Sequence, residues 1–250
     1  MQFEPNSQSY NSLILSSCLV TIIIFLNDDV GECNSPLHIL KLFNLTILSA
    51  NAIRPSHPEI IYNIPATFYA VSLTRNKTLM HLIKKLSLSL LVVTILGLLL
   101  PQNLQMPVQG ANASSYHPQS FWYYPWGKSV THKGVDIFAK KGTPVRAATW
   151  GLVLYCGPFG RGGNVVLTLG PKWRMHYYAH LNSIETSSFK LVTQSDVIGT
   201  VGDSGNAIGK SPHLHYAIAT LIPYPWRIDD GPHGWWKMLY LNPIDYLNKK

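Results

Sequence analysis

The chain has 250 residues and a formal net charge of +8 at neutral pH, a length that fits one large domain or two small ones. Residues 1–113 contain six Lys and Arg against five Asp and Glu, whereas residues 114–250 contain fourteen against seven, a net charge of +7. A basic domain favours an anionic polymer or surface as its partner, but no Lys/Arg run or nucleic-acid-binding motif is present. Only Cys156 of the three cysteines lies after residue 113, which excludes a disulfide within that part and predicts a buried apolar thiol.

The most hydrophobic stretch of the sequence is residues 86–100, which follow Lys84 and Lys85 and end at Pro101. A basic flank, an apolar run of about 15 residues and a downstream small-x-small site are the parts of a secretory signal. The candidate cleavage site is Ala-Asn-Ala at residues 111–113. The same run can instead remain as a single membrane anchor, although it is shorter than the roughly 20 residues that span a bilayer comfortably.

The region before this stretch, residues 1–79, has no clean periodicity and includes a second apolar run at residues 13–26. Because a signal peptide begins a chain, our hypothesis is that the working protein starts at Met80 and that the upstream stretch is an over-extended reading frame. The alternative is a real N-terminal region with a first membrane segment at 13–26. The expected organisation is therefore an uncharacterised extension (1–79), a signal peptide or membrane anchor (80–113) and a folded domain (114–250).

Short β-rich runs separated by turn residues occupy the folded domain. They lie at residues 151–156, 164–169, 175–180, 197–201 and 214–219. No segment past residue 113 has the pattern of a long amphipathic helix, so the sequence predicts an all-β sandwich or barrel. Asn242-Pro243 should end the last strand, because proline disfavours continuation of the ladder, and a short helical turn can follow it.

Two short metal-ligand spacings, separated by a third histidine motif, stand out in this domain. They are His132 and Asp136 in HKGVD, His180 in YAHL, and His213 and His215 in HLH. Two imidazoles and a carboxylate make three zinc ligands and leave a fourth position for water, as in catalytic zinc sites. On a strand, residues 213 and 215 share a face about 6.5–7 Å apart, so one can bind metal while the other moves protons. Spacing alone does not say which of the two is the ligand.

Other histidines and motifs fit ordinary structural roles. Isolated histidines are expected at hydrogen-bonded core or surface positions, namely His38, His57, His81, His117, His176 and His233. The stretch GNAIGKS at residues 205–211 has three residues between its glycines, whereas a phosphate-binding P-loop needs four, so we interpret it as a tight turn. HExxH is absent from the sequence, which excludes the helix-borne class of metallopeptidases that carries this signature.

Taken together, these motifs resemble the lysostaphin/LytM-type zinc endopeptidase family over about residues 115–248. The resemblance also includes Val-Gly-Asp-Ser-Gly at residues 201–205 and Asn242-Pro243. It implies an antiparallel β-fold with a substrate groove and one zinc ion per chain. By resemblance, His132, Asp136 and His215 are the zinc ligands, and His180 and His213 are the catalytic pair.

The resemblance implies a peptidase that cuts the peptide stems or cross-bridges of peptidoglycan. Such an enzyme is exported, either to the periplasm or cell envelope or as a secreted protein. The basic charge suits an anionic wall polymer. The enzyme could stay anchored to the membrane through residues 86–100. One alternative is a non-catalytic module of this fold that binds and activates another wall hydrolase, and a third is an exported peptidase with a non-wall substrate. The chain departs from the family pattern in an aromatic-rich insertion at residues 221–240, which either borders the groove or packs on the sheet.

Overall fold

The computed structural model describes the backbone of residues 66–247 and the side chains of residue 77 and of residues 79–247. This part divides into two compact units, one that ends at Ile95 and one that begins at Leu96. The apolar run at residues 13–26 lies outside the described residues. So do His38, His57 and most of the predicted N-terminal extension, so the expected domain boundaries and the start at Met80 remain predictions.

The long helix α1 spans Ala66–Leu99 and contains the stretch predicted to direct export. It ends just before Pro101, consistent with the bias of proline and the residue before it against helical backbone. Leu79–Leu99 is long and apolar enough to cross a membrane by length and composition. Its leucine side chains are largely exposed, which distinguishes this helix from the core helix of a soluble domain.

The folded domain is an antiparallel β-sheet of nine strands, as the sequence and the resemblance predicted. The strands are β1 (Val135–Phe138), β2 (Pro144–Arg146), β3 (Gly151–Phe159), β4 (Gly163–Gly170), β5 (Arg174–Ile184), β6 (Leu191–Val192), β7 (Val197–Val201), β8 (His213–Thr220) and β9 (Tyr240–Leu241). The main strand order is β1-β8-β5-β4-β3-β6; β7 pairs with β5 and β2, and β9 pairs with β8. After residue 113 the one α-helix in the described residues is the short α2 (Ile244–Leu247), directly after Asn242-Pro243.

Alternation along the strands separates two faces of the sheet. In β8, Leu214, Tyr216 and Ile218 point into the main hydrophobic core, whereas Ala217 and Ala219 belong to a second cluster on the opposite face. We call these the core face and the site face. The shorter strands β2, β6 and β7 cover the core face with Val145, Val192 and Ile198, which gives the sandwich-like packing that the pattern of short strands favoured.

The second cluster, formed by strand residues on the site face, is covered by the aromatic-rich insertion and by Phe121 and Trp122. Trp122 and Trp236 pack against it beside the buried Leu239 and Tyr240. The insertion folds into two 3₁₀ turns, Pro225–Arg227 and Gly234–Leu239, followed by β9. It therefore covers part of the site face of the sheet rather than extending as a free loop.

Cys156 is half-buried in β3 and packs against the main core, so it is less buried than the sequence analysis expected. Its Sγ lies 3.7 Å from the carbonyl oxygen of Thr186 and 3.6 Å from the hydroxyl of Ser188. It is a free thiol, in keeping with the expected lack of a disulfide in this part of the chain.

Candidate metal centre and active site

The pairing of β1 with β8 places acidic and imidazole side chains next to each other. Asp136 lies opposite His215 and Phe138 lies opposite His213 in the antiparallel register. Because residues two apart in a strand share a face, all four side chains are on the site face. The neighbouring strand β5 contributes the small Ala179 opposite His215, which leaves room above the sheet for the histidine ring.

Three donor atoms converge at this point of the sheet. The Nδ1 of His215 lies 2.8 Å from Asp136 Oδ1, and the Nε2 of His132 lies 3.0 Å from the same oxygen. The two ring nitrogens are 3.1 Å apart. A tetrahedral zinc ion with bonds of about 2.0–2.1 Å has ligand atoms separated by a little over 3 Å, so the triad of His132, Asp136 and His215 has the spacing of a three-ligand metal site.

The hydrogen bonding of His132 indicates that a cation suits this triad. Its Nδ1 donates to the carbonyl oxygen of Ser120 at 2.9 Å, so the neutral ring carries its proton there and has a lone pair on Nε2. That lone pair faces a carboxylate oxygen of Asp136, which is also an acceptor. Two acceptors 3.0 Å apart repel each other unless a proton or a metal ion lies between them. In addition, a histidine that binds a metal usually donates its other ring N–H to a backbone carbonyl or a carboxylate, as His132 does.

The carboxyl group of Asp136 is held in its ionised form. Burial raises its pKa, but hydrogen bonds and positive charge at the facing nitrogens of His132 and His215, a role that a metal ion would also fill, outweigh burial and hold the pKa well below its usual range. The side chain is only 15% exposed. An ionised, partly buried carboxylate between two imidazoles is a donor set with nitrogen and oxygen ligands that fits zinc.

His180 reaches the site through a break in the strand alternation. In β5, Tyr177 and Ala179 lie on the site face and Tyr178 on the core face, so regular alternation would turn residue 180 toward the core. Its φ angle is instead +64°, and the β5–β7 register shifts immediately after it, between Leu181 and Ser183. The irregularity brings the His180 ring to 5.0 Å from that of His213. Non-glycine residues with positive φ are uncommon and concentrate at functional sites.

His180 and His213 share one hydrogen-bonding pattern. The Nδ1 of His180 donates to the carbonyl oxygen of Ser204 at 2.9 Å, and that of His213 donates to Ser211 at 2.8 Å. Each neutral ring therefore has an unprotonated Nε2 that can accept a proton. The Nε2 of His213 lies 4.0 Å from Asp136 Oδ2, so it is adjacent to the triad.

The environment of His180 favours its neutral form. Burial, then the charges of His215 and His213, lowers the pKa of His180 to about 3. The ring is thus uncharged near pH 7 and can act as a proton acceptor.

Two exposed aromatic rings flank the five site residues. Trp126 stacks on His132 with ring centroids 4.2 Å apart, and Phe138 lies 5.3 Å from the ring of His213. Trp126 is 39% exposed and Phe138 is 48% exposed. Exposed apolar rings beside a polar site are typical of substrate contact surfaces.

The other histidines in the described residues occupy structural positions or the surface. His176 is fully buried, its Nδ1 donates to the hydroxyl of Tyr216 at 2.8 Å, and its Nε2 accepts from the Gln102 amide at 3.1 Å. His233, in the insertion, lies 3.4 Å from the hydroxyl of Thr131, while His81 and His117 are exposed. The structure thus brings together the five residues that the sequence analysis selected and keeps these four apart from them.

Several residues beside the site carry no signal in the sequence pattern. Gly134 lies under the ring of His215, and a Cβ at this position would be 2.8 Å from His215 Nε2 and 2.6 Å from the carbonyl oxygen of Tyr216. Ser120 and Ser204 act through backbone carbonyls, which any residue type possesses. Of these residues, only Gly134 in HKGVD could be suspected from the sequence, because a glycine can mark a position where a Cβ would clash with neighbouring atoms.

Comparison with known proteins identifies the segment that carries the site. Residues 130–223 match the model of Peptidase family M23. The chain is 39% identical over 85 residues to DD-carboxypeptidase/endopeptidase Mpg of Neisseria meningitidis, and the aligned stretch covers 34% of this chain and 19% of that protein. It is 36% identical over 116 residues to the L-Ala--D-Glu endopeptidase of Bacillus subtilis, which covers 43% of this chain and 36% of that protein.

Solved structures with partial similarity to this chain include two from bacteria. The catalytic domain of lysostaphin from Staphylococcus simulans is 24% identical, with a TM-score of 0.43, and covers 52% of this chain and 90% of that domain. Csd3 of Helicobacter pylori is 24% identical, with a TM-score of 0.42, and covers 59% of this chain and 35% of that protein.

The matched segment spans about a fifth to a third of the first curated relatives. It contains all five site residues, from His132 to His215, and ends within the insertion at residue 223. The resemblance to the lysostaphin/LytM-type endopeptidases is thereby confirmed by the match of residues 130–223 to the model of Peptidase family M23.

Proposed function

We propose that this chain is an exported zinc endopeptidase that hydrolyses peptide bonds in the stems or cross-bridges of peptidoglycan. The observation that carries the proposal is the convergence of His132, Asp136 and His215 on one point, with the rings of His180 and His213 beside them. Relatives named as peptidoglycan endopeptidases, such as DD-endopeptidase ShyC of Vibrio cholerae at 34% identity over 90 residues, support the substrate class.

The residues divide into ligands and proton carriers. His132, Asp136 and His215 would hold zinc, which when bound supplies a Lewis acid and lowers the pKa of water toward about 7. His180 and His213 each present an unprotonated Nε2, because their Nδ1 protons are engaged by backbone carbonyls. One of them accepts a proton at Nε2 from the attacking water and delivers it to the leaving amine, while the other donates to the developing oxyanion once its Nε2 has taken up a proton from solvent.

Export is supported by the apolar part of α1. Residues 79–99 have the length and composition of a membrane-crossing helix, and the domain that follows residue 113 has a net charge of +7. A basic enzyme outside the cytoplasm is attracted to anionic wall polymers. The same helix would either be removed as a signal or anchor the enzyme in the membrane.

Digestion of purified peptidoglycan by the full chain tests the proposal. We expect new amino and carboxyl termini within stem or cross-bridge peptides, identified by product mass. His215→Ala should lose both zinc and activity, whereas His180→Ala should retain zinc and lose at least about 100-fold in rate, the typical contribution of a general base. Undigested peptidoglycan with bound zinc would favour a non-wall substrate, and absence of both would favour a non-catalytic binding module.

A further inference from the structure

The loop between β7 and β8 contacts both of the histidines that the triad does not use. The carbonyl oxygen of Ser204 accepts the Nδ1 proton of His180 at 2.9 Å. The carbonyl oxygen of Gly202 accepts the backbone N–H of His213 at 3.0 Å. A segment of four residues, Gly202 to Gly205, therefore spans the two proton carriers of the proposed reaction.

The turn between β3 and β4 holds this segment from its other side. The hydroxyl of Ser204 accepts the backbone N–H of Asn164 at 2.9 Å. The side-chain amide of Asn164 donates to the carbonyl oxygen of Leu181 at 3.1 Å, the residue directly after His180. Ser204 thus uses its carbonyl for the histidine and its hydroxyl for the neighbouring turn, and Asn164 connects that turn back to β5.

Two glycines permit the close approach of these turns. Gly163 and Gly205 both have φ of +67°, and a Cβ on Gly205 would lie 2.4 Å from the carbonyl oxygen of Arg161 and 2.4 Å from the nitrogen of Gly163. A Cβ on Gly163 would lie 2.4 Å from the hydroxyl oxygen of Ser204. Backbone atoms cannot yield as a flexible side chain does, so any larger residue at position 205 must displace the loop.

His180 depends on this support more than a regular strand residue would. Its positive φ departs from the alternation of β5, so the strand alone does not define where the ring points. The hydrogen bond to Ser204 selects the tautomer with the proton on Nδ1 and leaves Nε2 as the proton acceptor. A shifted Ser204 carbonyl would change both the ring orientation and the tautomer.

We propose that the segment Gly202–Gly205 is a positioning device for the two catalytic histidines, with Ser204 as the positioning residue for His180. This inference rests on the proposed peptidase function for its kinetic consequence. It gives the Val-Gly-Asp-Ser-Gly motif a role separate from metal binding, because none of its side chains belongs to the triad.

A pair of glycine substitutions tests the proposal in the full chain. Gly209 also has a positive φ, +79°, but nothing lies within 4 Å of a Cβ placed there. Gly205→Ala and Gly209→Ala therefore share the backbone penalty and differ in the displacement of the loop. We expect Gly205→Ala to lower kcat about 100-fold, the typical cost of a misplaced catalytic group, with KM within about twofold and zinc content unchanged, whereas Gly209→Ala should keep wild-type kcat. An equal loss in both variants, or wild-type kcat in Gly205→Ala, would overturn the proposal.

Ser204→Ala provides a milder test should Gly205→Ala fail to fold. It removes only the hydroxyl that accepts from Asn164. We expect about a tenfold lower kcat at unchanged KM, because the loss of a hydrogen bond that supports a functional side chain typically costs about 10–100-fold. NMR of the metal-free protein supplies a readout independent of peptidase activity. The Nδ1 proton of His180, assigned by its loss in His180→Gln, should be slow to exchange in the wild type and fast in Ser204→Ala and Gly205→Ala. Unchanged exchange of this proton in Ser204→Ala would contradict the positioning role even if the chain proved inactive on peptidoglycan.

Discussion

At the scale of single residues, the site relies on backbone carbonyls that fix histidine protons. Three serine carbonyl oxygens accept Nδ1 protons within 2.8–2.9 Å: Ser120 from His132, Ser204 from His180 and Ser211 from His213. Each bond leaves the opposite nitrogen as a lone pair directed away from the carbonyl. The proton positions of these three histidines are therefore set by backbone carbonyl oxygens.

The position of Gly134 leads to a prediction about zinc affinity. A methyl group at this position would lie within 2.9 Å of two atoms of the His215 ring, so Gly134→Ala should displace the ring and weaken zinc binding about 10–100-fold, as disruption of ligand support does. Gly231→Ala is the matched control, because its Cβ would approach only a side-chain oxygen of Asp229 at 3.2 Å. Competition with a chromophoric chelator measures both affinities. Equal zinc affinity in the two variants would contradict the placement of Gly134 under the ligand.

The burial of His176 predicts that the unfolding free energy falls as the pH is lowered. Burial, then the charge of Arg174, lowers the pKa of His176 from 6.5 to about 3, so the unfolded chain binds a proton there that the folded chain excludes. Stability from this residue is complete above pH 6.5 and is lost as pH falls toward 3, by about 1.4 kcal/mol per pH unit. His176→Gln should flatten the dependence of unfolding free energy on pH between 6 and 4 by that amount. Denaturant titrations at several pH values decide this, and an unchanged slope would argue against a neutral buried imidazole.

At the scale of elements, strands with long alternating patterns were predictable and very short ones were not. The predicted runs correspond to β3, β4, β5, β7 and β8. Strands β2 and β6 have three and two residues, too few for a local pattern. They form because they pair with neighbouring strands of the sheet. The spacing of His132, Asp136 and His215 could be recognised from the sequence. The turn of His180 toward the site could not, because it depends on a φ of +64° imposed by surrounding loops.

The insertion contacts the segment that precedes His132. The indole N–H of Trp122 donates to the carbonyl oxygen of Pro232 at 3.1 Å, and the Nζ of Lys237 lies 5.8 Å from the centre of the Trp122 ring. Trp122 is four residues before Trp126, which stacks on His132. The insertion thus supports one side of the site through this segment.

Replacement of residues 222–238 by a Gly-Ser turn tests that support. Trp236 and Met238 are partly buried, so the loss of their packing should lower the unfolding free energy by less than the roughly 1.5–3 kcal/mol per fully buried large side chain. It should also raise KM on peptidoglycan as the Trp126 side of the site loosens. The control replaces only the exposed tip, Asp230 and Gly231. Unchanged stability together with unchanged KM on every substrate would exclude both the packing and the specificity role.

At the scale of the whole molecule, the apolar helix up to Ile95 belongs to one unit, and its last four residues and the basic β-domain belong to the other. The helix has the length and composition for a membrane, and the net charge of residues 114–250 is +7. These properties agree with an enzyme that works at the cell envelope, where anionic polymers surround the membrane. The catalytic proposal for the β-domain depends on one feature of the chain, the triad.

Reconstitution with zinc is the most direct test of that feature. The full chain, stripped by a chelator, is titrated with zinc while peptidoglycan digestion is followed. Three protein ligands at one point predict that activity returns linearly and is complete at one equivalent of zinc, and that His215→Ala recovers none. Full activity in the stripped protein, or reconstitution by His215→Ala equal to wild type, would contradict a catalytic zinc site at His132, Asp136 and His215.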